Sequence, residues 1–194
     1  DRLTDRVALL EGHGFEPARY NYRMRRDLSQ PIPEVVLPGG VTLQHWQPEL
    51  DAELIATFNE AFQDHWGFIP ITEELWGLWM TGHPDFRPGL TFVAMDEQRG
   101  RVAGFSLNQV RTAEIDSSGV REGWIQELAV RRAYRRQGIA TALMIASMRA
   151  FKESGLEYAG LGVDTENLTG ALRIYERLGF ESTHRYITFS KPYG

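Results

Sequence analysis

The densest cluster of chemically capable residues lies between positions 131 and 138. Arg131, Arg132, Arg135 and Arg136 crowd a short loop that ends in Gln137-Gly138. Residues 124–130 before it are mostly apolar and β-compatible, which predicts a strand. After it, Ile139, Ala142, Leu143, Ala146 and Ala150 recur at helical spacing, with Lys152 in the last turn and Gly155 as the stop signal. A helix start offers unpaired N–H groups and a partial positive charge, which together suit a phosphate. Gly138 lacks a Cβ and would let such a ligand approach the backbone, while Arg135 and Arg136 would add charge-assisted donors. The loop has neither the Gly-Lys-Ser/Thr of a triphosphate-binding loop nor the glycine triplet of a dinucleotide-binding turn.

Arg135-Arg136-Gln137-Gly138-Ile139-Ala140 resembles the R/Q-x-x-G-x-G/A pyrophosphate loop of the GNAT superfamily of acyl-CoA-dependent N-acetyltransferases. Glu127-Leu128-Ala129-Val130 is similar to the central strand of that family. Asn167, Ala171, Tyr175 and Gly179-Phe180 fall in its N-x3-A-x3-Y-x3-G-F pattern. The resemblance covers roughly residues 41–193 and is nearest to the C-terminal half of tandem-domain members of the mycothiol synthase type. It implies an α/β (α+β) GNAT fold: a mixed, mostly antiparallel central sheet, splayed at the acyl-CoA site and flanked by helices.

The chain has 194 residues, 42% hydrophobic and 24% charged, ordinary for a globular domain with a real core. A formal net charge of −5 argues against non-specific nucleic-acid binding, so the basic loop is a local exception. Without cysteine there is no disulfide framework, thiol nucleophile or thiolate-bound metal, which fits a reducing, cytoplasmic setting. No apolar run is long enough for a membrane span.

Along the chain, residues 7–11 suggest a short helix and residues 15–24 a strand. Gly14-Phe15-Glu16 and Gly179-Phe180-Glu181 hold equivalent places after helix-like segments, which reads as an internal repeat. Residues 1–28 are therefore expected to be the last helix and strand of a preceding GNAT-like domain, docked on a sheet edge. Residues 29–40, with three prolines and two glycines, read as a linker, and 41–194 as the acetyltransferase domain. Within it we expect a strand at 41–43 and a helix at 51–62. An aromatic loop at 64–70 precedes a helix at 72–80 capped by Thr72, and residues 90–96 and 101–110 pair as antiparallel strands. A polar loop at 112–122 leads to the central strand; residues 158–164 form the next strand, 169–178 a helix, and 180–189 the last strands. Trp66, Phe68, Trp76, Trp79 and Phe86 fall where the family builds its acceptor pocket, with about three of the five expected in the core.

The resemblance implies that acetyl-CoA donates an acetyl group to an amine, without a metal. Backbone groups of Arg136, Gln137, Gly138, Ile139, Ala140 and Thr141 would take the pyrophosphate. Leu128, Ala129 and Val130 would pair with the pantetheine, and one of their backbone groups would polarise the carbonyl. Tyr175 is the expected general acid for the departing thiolate, with small Ala171 one turn earlier; Asn167 would cap the helix or contact CoA. Glu127 is the favoured base, directly or through water, with Glu122, Glu166, His65 and His83 as competitors. Simple alternation sets Glu127 and Ile125 on the face opposite Gln126 and Leu128, unless a bulge intervenes. The expected reaction is direct attack by a small-molecule amine in a ternary complex. A protein or peptide acetyltransferase and a non-catalytic acyl-CoA-binding half are the competing readings. A second copy of the chain or a missing N-terminal GNAT domain are the macromolecular partners to consider; nucleic acid and membrane are not expected.

Overall fold

The computed structural model describes residues 2–165 and 170–191. The chain divides into two compact units: Arg26–Leu161, and Asp1–Arg25 with Gly162–Gly194. Seven strands, mostly antiparallel and flanked by helices, make the mixed α/β architecture expected from the sequence.

In the larger unit β2 (Val41–His45), β3 (Phe92–Asp96), β4 (Arg101–Val110) and β5 (Glu122–Val130) form an antiparallel run, and the start of β6 (Tyr158–Asp164) adds in parallel to β5. α2 (Asp51–Phe62) packs against β4 and β5, joined by α3 (Glu73–Trp76) and a wider π-type turn over Gly77–Thr81. Leu54, Trp76, Phe105, Leu107 and Ala129 form the core on this side. α5 (Ile139–Glu153) covers the other face over Ala94, Ala103, Ile139 and Leu143. Burying each such Leu or Phe stabilises by about 1.5–3 kcal/mol. A buried polar cluster also ties α5 to β4: Ser147 Oγ lies 2.9 Å from Ser106 Oγ and accepts from Asn108 Nδ2 at 2.8 Å.

Local signals act as read. Thr72 Oγ1 accepts from the Leu75 N–H at the start of α3. α5 ends in a paired turn, with Leu156 N–H on the Phe151 carbonyl and Gly155 N–H on that of Lys152, Gly155 taking φ +78°. Residues 112–122 differ from the expected polar loop: Thr112–Ser118 form α4, closed by Gly119 at φ +72°. A left-handed glycine after about two turns suffices to stop a helix without hydrophobic periodicity.

In the smaller unit α1 (Arg2–Gly12) leads through Gly14 at φ +77° into β1 (Glu16–Asp27), while α6 (Ala171–Arg177) leads through Gly179 at φ +82° into β7 (Glu181–Ser190). The two strands pair antiparallel, Tyr20 opposite Ile187. β1 lies between β6 and β7, so residues 20–24 are inserted in the order and β7 takes the edge. This corrects the expected edge placement: the first strand gains neighbours on both sides, and Met24 is buried.

Candidate active site

β5 changes character at its middle. Glu122, Gly123, Trp124 and Ile125 pair with β4 on one side, or lead into that pairing, and with Tyr158, Ala159, Gly160 and Leu161 of β6 on the other. All four are buried. The β6 register ends at Ile125, and from Gln126 onward β5 keeps only β4 as a strand neighbour among the described residues. Backbone groups of Leu128, Ala129 and Val130 on that open side are free of sheet pairing, as needed to bind an extended ligand arm.

The same point carries a bulge. Leu107 faces Glu127 and Asn108 faces Ile125, so Gln126 is the extra residue. Opposed residues share a face, and Leu107 and Asn108 lie on opposite faces of β4. Ile125 and Glu127 therefore lie on opposite faces, contrary to simple alternation. The Ile125 face carries Asn108 and α5; the Glu127 face carries Leu107, Ala129 and α2. Burial of the Glu127 carboxyl pushes its pKa up to about 7, against a lowering hydrogen bond from the Gln126 side chain. A half-buried carboxylate titrating near neutrality has the ionisation that a general base requires.

The basic loop is anchored chiefly to α2. Buried Arg131 donates to Glu60 at 2.7 Å, to Glu53 at 3.0 Å and to the Val102 carbonyl at 2.9 Å. Arg132 pairs with Asp64, and its N–H meets Glu60. The Arg135 guanidinium donates to the carbonyls of Ala61 (3.0 Å) and Val130 (3.4 Å). These two bonds tie the loop to the end of α2 and to β5. α2 and Asp64 just past its end present carboxylates and a carbonyl to three of the four guanidinium groups. Arg99 Nη1 and Tyr134 Oη each donate to Asp96 at 2.7 Å, and these bonds, that of Arg99 above all, hold the Asp96 carboxyl down to about 2.

Arg136 remains exposed at the loop tip, with φ +62°. Gly138 follows at φ +85° and starts α5, whose first turn receives no side-chain cap. Two left-handed residues beside the uncapped N–H groups of Ile139, Ala140 and Thr141 make a concave donor set that fits an anionic pyrophosphate. Gln137 binds the Ala133 carbonyl with its side chain.

Of the five aromatics, Trp76 and Phe86 are buried and Phe68 is half-buried with its ring 6.5 Å from that of Phe58; Trp66 and Trp79 are more than half exposed. His65 packs edge-on to Phe62 (4.6 Å), and His83 Nδ1 accepts from the Asp85 N–H (3.2 Å). Glu122 is buried in the closed half of β5. Tyr175, in the smaller unit, is buried on α6 with its ring 6.2 Å from that of Phe180, and Ala171 starts that helix. Asn167 and Glu166 lie outside the described residues. Sequence reading missed Gln126, Arg111 and Trp124 as site neighbours; the Arg111 Cζ lies 4.1 Å from the Trp124 ring centroid. Among the described residues no His, Asp or Glu cluster could hold a metal, and no helix is long and apolar enough to cross a membrane.

Residues 48–180 match the model of the acetyltransferase (GNAT) family. The chain belongs to the GNAT family. It is 33% identical over 184 residues to a mycothiol acetyltransferase of Thermobispora bispora, covering 92% of this chain and 59% of that protein. A mycothiol acetyltransferase of Segniliparus rotundus is 33% identical over 180 residues, with 89% and 64% covered. The chain thus spans about three fifths of the length of these curated relatives. A GCN5-related N-acetyltransferase structure from Sphaerobacter thermophilus superposes with TM-score 0.77 at 32% identity, covering 96% of this chain and 55% of that one. The ribosomal-protein-S18-alanine N-acetyltransferase of Escherichia coli shares the fold at TM-score 0.58 and 21% identity, covering 74% of this chain and 79% of that one. The family and the fold of this chain are thus those of the GNAT acetyltransferases.

Proposed function

We propose that this GNAT domain transfers the acetyl group of acetyl-CoA to the amine of a small molecule by direct attack in a ternary complex. The observation that carries the reading is Glu127, a half-buried carboxylate pushed up to about 7 at the point where β5 loses its second strand neighbour. In this reading the first turn of α5, with Arg136 and Gly138, holds the pyrophosphate, and the open side of residues 128–130 takes the pantetheine as an added strand. One N–H of that stretch polarises the thioester carbonyl. Glu127 removes a proton from the ammonium directly or through water, and the free amine attacks. The tetrahedral intermediate then collapses, breaking the C–S bond, and Tyr175 protonates the CoA thiolate. The chain has no cysteine, so no thiol acyl-enzyme intervenes.

The relatives' name makes a mycothiol-type acceptor the first to try. Residues 1–28 keep their reading as the end of a preceding GNAT-like domain; the shared helix–glycine–strand form of the two Gly-Phe-Glu segments supports it. The test is a panel of small amines and short peptides with acetyl-CoA, read as thiol release and product mass. Turnover of small amines is expected. Turnover confined to peptides, or CoA binding without acetylation, would overturn the proposal.

A further inference from the structure

A bulge brings two successive side chains toward one face of a strand. Here they are Gln126 and Glu127. Gln126 Oε1 accepts from Arg111 Nη2 at 3.3 Å, and the Gln126 side chain, next to Glu127 at the bulge, is close enough to its carboxyl to lower the pKa that burial raises. A guanidinium can only donate, and an ionised carboxylate can only accept. The carboxamide therefore has one orientation that serves both neighbours: oxygen to Arg111, NH2 to Glu127. Arg111 is itself fixed. Its Nη1 donates to Glu114 Oε1 at 3.1 Å, and its guanidinium stacks on Trp124.

We propose that Gln126 is the positioning residue of Glu127, and that Arg111, held by Trp124 and Glu114, locks the Gln126 carboxamide in the donating orientation. The inference rests on the reading of Glu127 as base, and extends it to how that base is aimed. The NH2 donor favours the ionised carboxylate and fixes its direction, while burial acts the other way. Other charged groups near this stretch are engaged elsewhere. On α2, Glu53 and Glu60 hold Arg131, and Asp51 takes the Trp46 indole N–H and the Thr81 hydroxyl. On α4, Glu114 holds Arg111, and on β5 Glu122 is buried in the closed half. Removing the relay leaves burial to act with less opposition.

The test is a titration of glutamate side-chain carboxyls by 13C NMR on the ligand-free protein, with Glu127→Gln used to assign the resonance. In Gln126→Leu the Glu127 midpoint is expected to rise by about one pH unit, the loss of one hydrogen bond to a charged group. Arg111→Met should move it the same way by less, and Arg111→Lys, which keeps the charge and a donor, should recover part of the change. An unmoved midpoint in Gln126→Leu overturns the relay. A shift there but none in Arg111→Met overturns the lock. If Gln126→Leu does not fold, Arg111→Met alone decides, and an unmoved midpoint overturns the proposal. The acid limb of kcat/KM, measured with acetyl-CoA and an acceptor from the amine panel, should move with the NMR midpoint. An NMR shift without a kinetic shift leaves the relay standing and removes Glu127 as the base.

Discussion

The two halves of β5 share a strand but not a task. Residues 122–125 are buried and lie beside β6, whereas residues 126–130 keep only β4 as a strand neighbour among the described residues and are mostly half-buried. In the first half any added atom meets packed neighbours: a Cβ on Gly123 would lie 2.5 Å from Phe151 Cγ. In the second half the bulge, the titrating carboxyl and the unpaired side occur together. Sheet pairing that satisfies every backbone group leaves nothing to offer a ligand; withdrawing one neighbour for five residues leaves the binding groups in place.

The sharpest way to test this division is to substitute one residue in each half. Glu127→Gln should lower kcat by about 10²–10⁴-fold, the usual range for a general base, and erase the acid limb with its midpoint near 7. It should also raise Tm at neutral pH. With a folded pKa of about 7, above the unfolded value, the native state holds more protons between roughly pH 4.5 and 7, so stability falls as pH rises through that window. The glutamine carries no charge and removes that loss. A slow but less stable variant would contradict this account. Gly123→Ala should do the reverse, costing about 1–3 kcal/mol of stability by overpacking, measured by urea unfolding, with kcat/KM of the folded fraction little changed.

Smaller effects are expected where the open half runs on into the loop. Gly138→Val places a β-branched side chain at φ +85° and in the anion's path, and should weaken CoA binding at least tenfold, about 1.4 kcal/mol, by calorimetry. Unchanged affinity would remove the loop from the binding site. Arg136→Ala should weaken CoA a few-fold and reduce the salt dependence of binding, since an exposed charge is screened. An effect larger than that of Gly138→Val would mean that the side chain, not the backbone, holds the phosphates.

The sequence was most informative where a few adjacent residues decide the outcome. Gly138 opens α5, Gly155 closes it and Thr72 caps α3, because each acts through backbone preference or a bond within five residues. The same holds for the two helix–glycine–strand segments at Gly14 and Gly179. The loop before α5 and the start of that helix were legible for that reason, as was the family. The aim of the side chains was not. Glu127 changes face because β4 sets the bulge, and no rule within β5 alone places it at Gln126. Arg131 and Arg135 belong to one basic loop in the sequence, and both reach α2, where Arg131 meets Glu60 across 71 residues and Arg135 the Ala61 carbonyl across 74. Likewise the place of β1 between β6 and β7 depends on pairing with a strand some 160 residues away, as Thr183 to the Arg23 carbonyl illustrates. Local sequence therefore determined the elements, their caps and the kind of ligand they suit. Only tertiary contact decided which face Glu127 occupies and which arginine stays free, because both are settled by competition among partners that meet once the chain has folded.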